Sequence, residues 1–237
     1  FGKILWNQDG FLDWHSDDRS DHFNIIQSDP VDFVHQENTK RFVAEIDIAV
    51  KEGLQRTVLL QGRPGCGKTT LGYDFARKFK RPMLVTGRTL TNVSFSVWRE
   101  IMDYLEPDFV LIDDIDRLAN LPEKLVYFEP RHYKVALTVM TSNDLTKIDA
   151  AFLRAGRLTN IFEFKTLTKK RFSKVCVSKY VEELGLSDEH VKRLFDVYSH
   201  YGALSYVYEF IERMKLYGID YEPVQNDVMF SFLMDEK

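Results

Sequence analysis

The feature that most constrains this chain is the run Gly62-Arg63-Pro64-Gly65-Cys66-Gly67-Lys68-Thr69, which fits the pattern G-x-x-x-x-G-K-[ST]. Glycines let successive backbone N–H groups converge on an anion where a Cβ would block the approach. Such a run works at a strand-to-helix junction, because the helix presents its positive N-terminal end to the same anion. Both flanks comply. Thr57–Gln61 is a short apolar strand pattern, and Lys68–Phe79 is a helical one. The run therefore predicts an α/β fold that holds nucleotide phosphates at this turn. Lys68 is placed to reach the outer phosphates, and the Thr69 hydroxyl suits Mg²⁺. The candidate nucleotide contacts are Gly62, Pro64, Gly65, Cys66, Gly67, Lys68, Thr69 and Thr70, with Cys66 read as a small spacer.

Strand and helix signals alternate around this turn. A helix is expected over Glu37–Val50, strands over Pro82–Thr86, Phe109–Ile112, Lys134–Met140 and Asn160–Phe164, and helices over Val93–Tyr104 and Pro122–Phe128. Alternation of this kind implies a parallel sheet covered on both faces. Beyond Thr166 the strand signals stop. Lys169–Leu184, Asp188–Tyr201 and Leu204–Tyr217 read as three helices closed by Gly185, Gly202 and Gly218. The first 34 residues read as irregular, apart from a short strand pattern at Ile4–Trp6. The organisation expected is an N-terminal extension (1–34), a three-layer αβα nucleotide-binding domain of the P-loop NTPase class with a five-stranded parallel sheet (35–166), and a small α-helical domain (167–237).

Phe109-Val110-Leu111-Ile112 runs directly into Asp113-Asp114. A strand buried on both faces delivers its last residues to the carboxyl edge of the sheet, where open α/β folds bind ligands. Asp113 is the candidate for the Mg²⁺ coordination sphere, with Thr69 the second metal ligand, and Asp114 is the candidate to polarise water. Taken alone, the acids would also serve as a solvated strand end.

With these motifs in place the sequence resembles the AAA+ ATPases, and the AAA-proper branch in particular. Ala136-Leu137-Thr138-Val139-Met140-Thr141-Ser142-Asn143 is similar to the family's sensor strand, which makes Asn143 the polar residue beside the γ-phosphate. Asp149-Ala150-Ala151-Phe152-Leu153-Arg154-Ala155-Gly156-Arg157 is similar to the family's D-P-A-L-x-R-x-G-R segment. The resemblance implies that Arg154 and Arg157 point into a neighbouring subunit's site, where a trans arginine contributes about 10³–10⁵ in rate in related enzymes. It also implies that the helical domain is a lid, with Gly202-Ala203 at the position of the branch's glycine-alanine pair and Ala203 a nucleotide contact. The implied activity is ATP hydrolysis with Mg²⁺ in a homo-oligomer, a hexameric ring, that remodels or translocates a macromolecule.

Two departures shape the reading further. Asp114 stands where most of the family has the longer Glu. No aromatic-hydrophobic-glycine pore loop follows Val85-Thr86-Gly87, where Leu90, Val93 and Phe95 stand instead. In that respect the chain resembles the mitochondrial Rieske-protein translocase type.

Charge enters when a partner is considered. Lys plus Arg number 32 against 36 Asp plus Glu, a net charge of −4, which favours a protein partner over nucleic acid. Two basic clusters, Arg77/Lys78/Lys80/Arg81 and Lys165/Lys169/Lys170/Arg171/Lys174, keep open the alternative of a nucleic-acid-associated ATPase of the loader or initiator type. A slow-hydrolysing, nucleotide-switched scaffold is the third class, permitted by the short Asp114. Two cysteines far apart form neither a disulfide framework nor a zinc spacing, and suit a reducing, cytoplasmic compartment. No secretory leader pattern is visible, and no apolar run approaches the ~20 residues of a membrane helix. His15, Asp17, Asp18, Asp21 and His22 read as a solvated loop rather than a metal site.

Overall fold

The computed structural model of the protein describes residues 11–16, 21–26, 37–119, 124, 127, 133–148, 150, 152, 158–224 and 227–234. Its strands are β1 (Phe11–Ser16), β2 (Asp21–Ile26), β3 (Arg56–Gln61), β4 (Pro82–Thr86), β5 (Phe109–Asp113), β6 (Leu137–Ser142) and β7 (Asn160–Glu163). The described helices are α1 (Glu37–Lys51), α2 (Lys68–Ala76), α3 (Gly87–Thr91), α4 (Phe95–Leu105), α5 (Lys169–Phe172), α6 (Ser178–Leu184), α7 (Asp188–Tyr201) and α8 (Leu204–Tyr217). Contacts divide the chain into two compact units. One contains β1, β2, Glu37–Gly62 and Lys68–Phe164; the other contains Arg63–Gly67 and the chain from Lys165 onward.

In the first unit the strands lie in the order β2-β1-β4-β5-β6-β3-β7. The five strands β4, β5, β6, β3 and β7 run parallel, as the alternation of elements requires. Val58, Leu59 and Leu60 of β3, Val110–Ile112 of β5 and Val139–Met140 of β6 are all buried, because helices cover both faces of a parallel sheet. β7 alternates half-buried and exposed positions, as an edge strand does.

Register carries the functional consequence. Gln61 is level with Ser142, Ile112 with Met140, and Thr86 with Asp113. Parallel strands in this register end together, so the segments that follow β3, β5 and β6 leave the sheet at one edge.

Three differences from the sequence reading concern this unit. The N-terminal segment is not wholly irregular: β1 and β2 form an antiparallel hairpin, and β1 continues the sheet in parallel beside β4. An unexpected short helix, α3, intervenes between β4 and α4, with Leu90 and Val93 buried in the core. α2 stops at Ala76, short of Phe79. The expected strand at Ile4–Trp6 and most of the expected helix at Pro122–Phe128 lie outside the described residues.

α4 shows how local sequence sets an element. The Ser94 hydroxyl accepts the N–H of Val97 to cap the start. Trp98, Met102 and Leu105 recur at helical spacing and are buried. Trp98 therefore belongs to the core, where its ring stacks 6.3 Å from Tyr127.

The second unit has its own core of Phe172, Val177, Leu194, Val197, Val207, Phe210, Ile211, Met214 and Phe230. A π-helical turn, Ser173–Val177, separates α5 from α6. Gly185, Gly202 and Gly218 end α6, α7 and α8 with positive φ. The segment after α8 is tied by Asp227, whose carboxylate accepts the N–H groups of Met229 (3.0 Å) and Phe230 (3.2 Å), the Tyr221 hydroxyl (3.0 Å) and Arg213. Burial pushes the Asp227 carboxyl up, but the Met229 N–H, the Tyr221 hydroxyl, the Phe230 N–H and Arg213 together outweigh it and hold it below the ordinary carboxylate range.

Candidate nucleotide site

The sheet edge assembles a set of polar side chains from three stretches of sequence. Lys68, the first residue of α2, is buried and donates to the Gly62 carbonyl (2.8 Å) and to Asn143 Oδ1 (2.9 Å). Its neighbour Thr69 donates its hydroxyl proton to Asp113 Oδ1 at 2.8 Å, closing a link across 44 residues. Asn143 Nδ2 donates to Asp114 Oδ1 at 3.0 Å, while the Asn143 N–H is bonded to Asp116 Oδ1 at 3.2 Å. Asp114 Oδ2 lies 3.2 Å from Arg117 Nε.

These contacts bring together Lys68, Thr69, Asp113, Asp114 and Asn143, five residues singled out in the sequence. Gly65 and Gly67 have φ of 70° and 97°, which only glycine adopts freely, so the turn requires them. In the second unit Gly65 lies against the α7–α8 junction: its carbonyl accepts the Leu204 N–H at 3.1 Å, and a Cβ placed on it would come within 3.0 Å of the Ala203 methyl and 2.3 Å of Ser205 Oγ. The structure thus brings Ala203 to the phosphate turn. Cys66 is half-buried and is not part of a disulfide. Arg154 and Arg157 lie outside the described residues.

Three residues at this edge escaped the sequence reading. Thr141, fully buried on β6, bonds both acids. Gly87, the first residue of α3, packs so closely that a Cβ on it would come within 2.5 Å of the Asp114 carbonyl oxygen. Gly72 lets α2 lie on β5, since a Cβ there would meet Leu111 Cδ1 at 2.7 Å. A polar residue inside an apolar strand, as in Leu137-Thr138-Val139-Met140-Thr141-Ser142, is the signal that marks Thr141. Nothing in the local sequence marks Gly87.

The residue set fits Mg²⁺ on its own chemistry. A threonine hydroxyl has one hydrogen and two lone pairs. Thr69 can keep its hydrogen on Asp113 while a lone pair faces a hard cation, and oxygen donors are what such a cation takes. Among the described residues no cluster of three His, Cys, Asp or Glu side chains forms a separate metal site, and no helix is long and apolar enough to cross a membrane.

Residues 58–166 match the family model described as "ATPase family associated with various cellular activities (AAA)". Over that stretch the chain is similar to this family, in keeping with its parallel sheet and phosphate turn. The relatives it resembles are RuvB proteins. The Holliday junction branch migration complex subunit RuvB of Prochlorococcus marinus (strain MIT 9215) is 31% identical over 111 residues, covering 46% of this chain and 31% of the relative. That of Salinibacter ruber is 28% identical over 130 residues, covering 52% and 37%. The match thus spans about a third of the length of these curated relatives. The solved structure of the Thermotoga maritima RuvB Holliday junction branch migration motor superimposes with a TM-score of 0.51 at 21% identity, covering 77% of this chain and 70% of that one, a likeness of fold.

Two expectations are corrected by these relatives. They are RuvB proteins rather than the Rieske-protein translocase type, because a missing pore-loop pattern is a negative feature and does not define a branch. They are also named for Holliday junctions, which are DNA, and this overturns the preference for a protein over a nucleic-acid partner. The physical reason is that a net charge averages over the whole surface, whereas a polyanion meets only one face.

Proposed function

We propose that this protein hydrolyses ATP with Mg²⁺ and works as a DNA-associated motor subunit. The observation that carries the hydrolytic part is the joined set Lys68–Asn143–Asp114 and Thr69–Asp113 at one sheet edge, beside the phosphate turn. Lys68 would leave Gly62 and Asn143 for the outer phosphates. Thr69 and Asp113 would hold Mg²⁺, which withdraws charge from phosphoryl oxygens when bound. Asp114 would take the proton of the attacking water, and Asn143 holds its carboxylate in place for that task. Gly65 and Ala203 are proposed as further nucleotide contacts. Arg154 and Arg157 would act on the site of the next subunit in an oligomeric ring.

The names of the relatives support DNA as the partner, and a local feature gives it a place to bind. Within residues 165–174 five cations, Lys165, Lys169, Lys170, Arg171 and Lys174, occur without a single acid, and all five are exposed. Phosphodiester contacts of this kind release counterions, so affinity falls steeply with salt.

The test is ATP turnover with and without duplex or four-way-junction DNA, read beside DNA binding at 50 and 200 mM salt. The expected result is Mg²⁺-dependent hydrolysis stimulated by DNA, with a salt slope that drops by about 1 for each contacting lysine replaced by alanine among these five. Absent hydrolysis would overturn the enzymatic reading. Stimulation by an unfolded protein and not by DNA would overturn the choice of partner.

A further inference from the structure

We infer that Thr141 is the positioning residue that aligns both catalytic acids, an inference resting on the hydrolytic reading above. Thr141 sits on β6, two residues before Asn143, and has no exposed surface. Its hydroxyl donates to Asp113 Oδ1 at 2.6 Å and accepts the backbone N–H of Asp114 at 2.9 Å. One hydroxyl carries one hydrogen and two lone pairs, so both bonds are made at once and neither competes with the other.

The two bonds do different things. Asp113 Oδ1 already takes the Thr69 hydroxyl at 2.8 Å, and the second hydroxyl fixes the rotation of the carboxylate about its own axis. A carboxylate held this way presents its other oxygen in one direction only. Asp114, by contrast, has φ 53° and ψ 52°, the left-handed region that side-chain-bearing residues avoid. The bond from its N–H to Thr141 Oγ1 anchors that turn. The turn in turn aims the Asp114 carboxylate at Asn143 Nδ2, 3.0 Å away. A single buried oxygen therefore sets the direction of the metal-side acid and the backbone of the water-side acid. Valine has the shape of threonine without this oxygen, and serine has the oxygen without the methyl group, so two substitutions separate the hydroxyl from mere packing.

The experiment compares Thr141→Val and Thr141→Ser in the full chain by steady-state ATPase kinetics and by binding of a fluorescent ADP with and without Mg²⁺. T141V is expected to lower kcat at least tenfold with KM for ATP within threefold, and to raise the half-saturating Mg²⁺ several-fold. T141S is expected to stay within threefold of wild type in all three. Should T141V fail to fold, T141A carries the same expectation. Wild-type kcat in T141V, or equal damage in T141V and T141S, overturns the inference. A wild type without ATPase activity overturns the hydrolytic reading alone. In that event T141V is still expected to weaken Mg²⁺-dependent ADP binding at least fivefold with T141S intact, and equal binding overturns the role of Thr141.

Discussion

Gly87→Ala is the substitution whose sign the structure decides against ordinary propensity. Gly87 opens α3 and shows no left-handed backbone that would demand glycine, so alanine there would normally favour the helix by up to about 1 kcal/mol. The new Cβ, however, would stand 2.5 Å from the Asp114 carbonyl oxygen and 3.1 Å from the Ile115 Cα. Both are backbone atoms that cannot swing aside. To reach ordinary van der Waals separation, one side has to give by roughly 0.9 Å or more. Overpacking of this kind costs ~1–3 kcal/mol, which outweighs the helical gain and leaves a net loss of about 0–2 kcal/mol. The movement falls on the turn that aims Asp114, and misplacement of a catalytic group by about 1 Å costs on the order of 10² in rate. G87A should therefore lose kcat about 10- to 100-fold while remaining folded. Gly72→Ala provides the contrast. Its Cβ would press most closely on the Leu111 side chain rather than on backbone, so stability should fall while kcat stays within about threefold. Coupled ATPase kinetics and urea unfolding measure both. A folded G87A with wild-type kcat would refute the claim that this contact holds the acidic turn.

Two further expectations concern separate parts of the molecule. K68A and R154A should each be inactive, yet mixing them in equal amounts should recover about a quarter of wild-type turnover, since about one interface in four then joins an intact Lys68 to an intact Arg154; complete inactivity of the mixture would contradict a shared site. The Asp227 carboxyl lies below its unfolded value, so its contribution is fully present above about pH 4 and is lost as pH falls through the folded value. The stability difference between wild type and Asp227→Asn should thus be constant from pH 5 to 7 and shrink toward pH 3 in denaturant titrations, and a difference that does not change with pH would count against it.

What could be read in the sequence was what short stretches encode by themselves. The phosphate turn, the apolar run ending in Asp113-Asp114 and the glycine stops of α6, α7 and α8 each rest on a local rule, and the structure places each as expected. The hairpin of β1 and β2 was not legible, because its Asp- and His-rich residues carry a polar pattern and its place depends on pairing with β4, some seventy residues on. Thr141 was missed for a similar reason: its importance lies in bonds to residues 27 and 28 positions away. The π-helical turn at Ser173–Val177 is a shift of backbone bonding that leaves hydrophobic spacing almost untouched. The partner was misjudged because the chain-wide charge was weighed above the two basic clusters, although both were legible in the sequence.

The left-handed backbone of Asp114 has a consequence for anyone wishing to retune this site. Aspartate, with a polar group one carbon from the backbone, tolerates that conformation better than most residues, whereas glutamate in it costs about 1–2 kcal/mol, as Glu106 must at the exposed end of α4. Arm length and chain handedness are thus coupled at this position. Grafting the longer acid common among AAA+ enzymes is a double alteration, one that displaces the reactive oxygen and unsettles its own foundation, and a swift variant would have to begin by redesigning the bend beneath it.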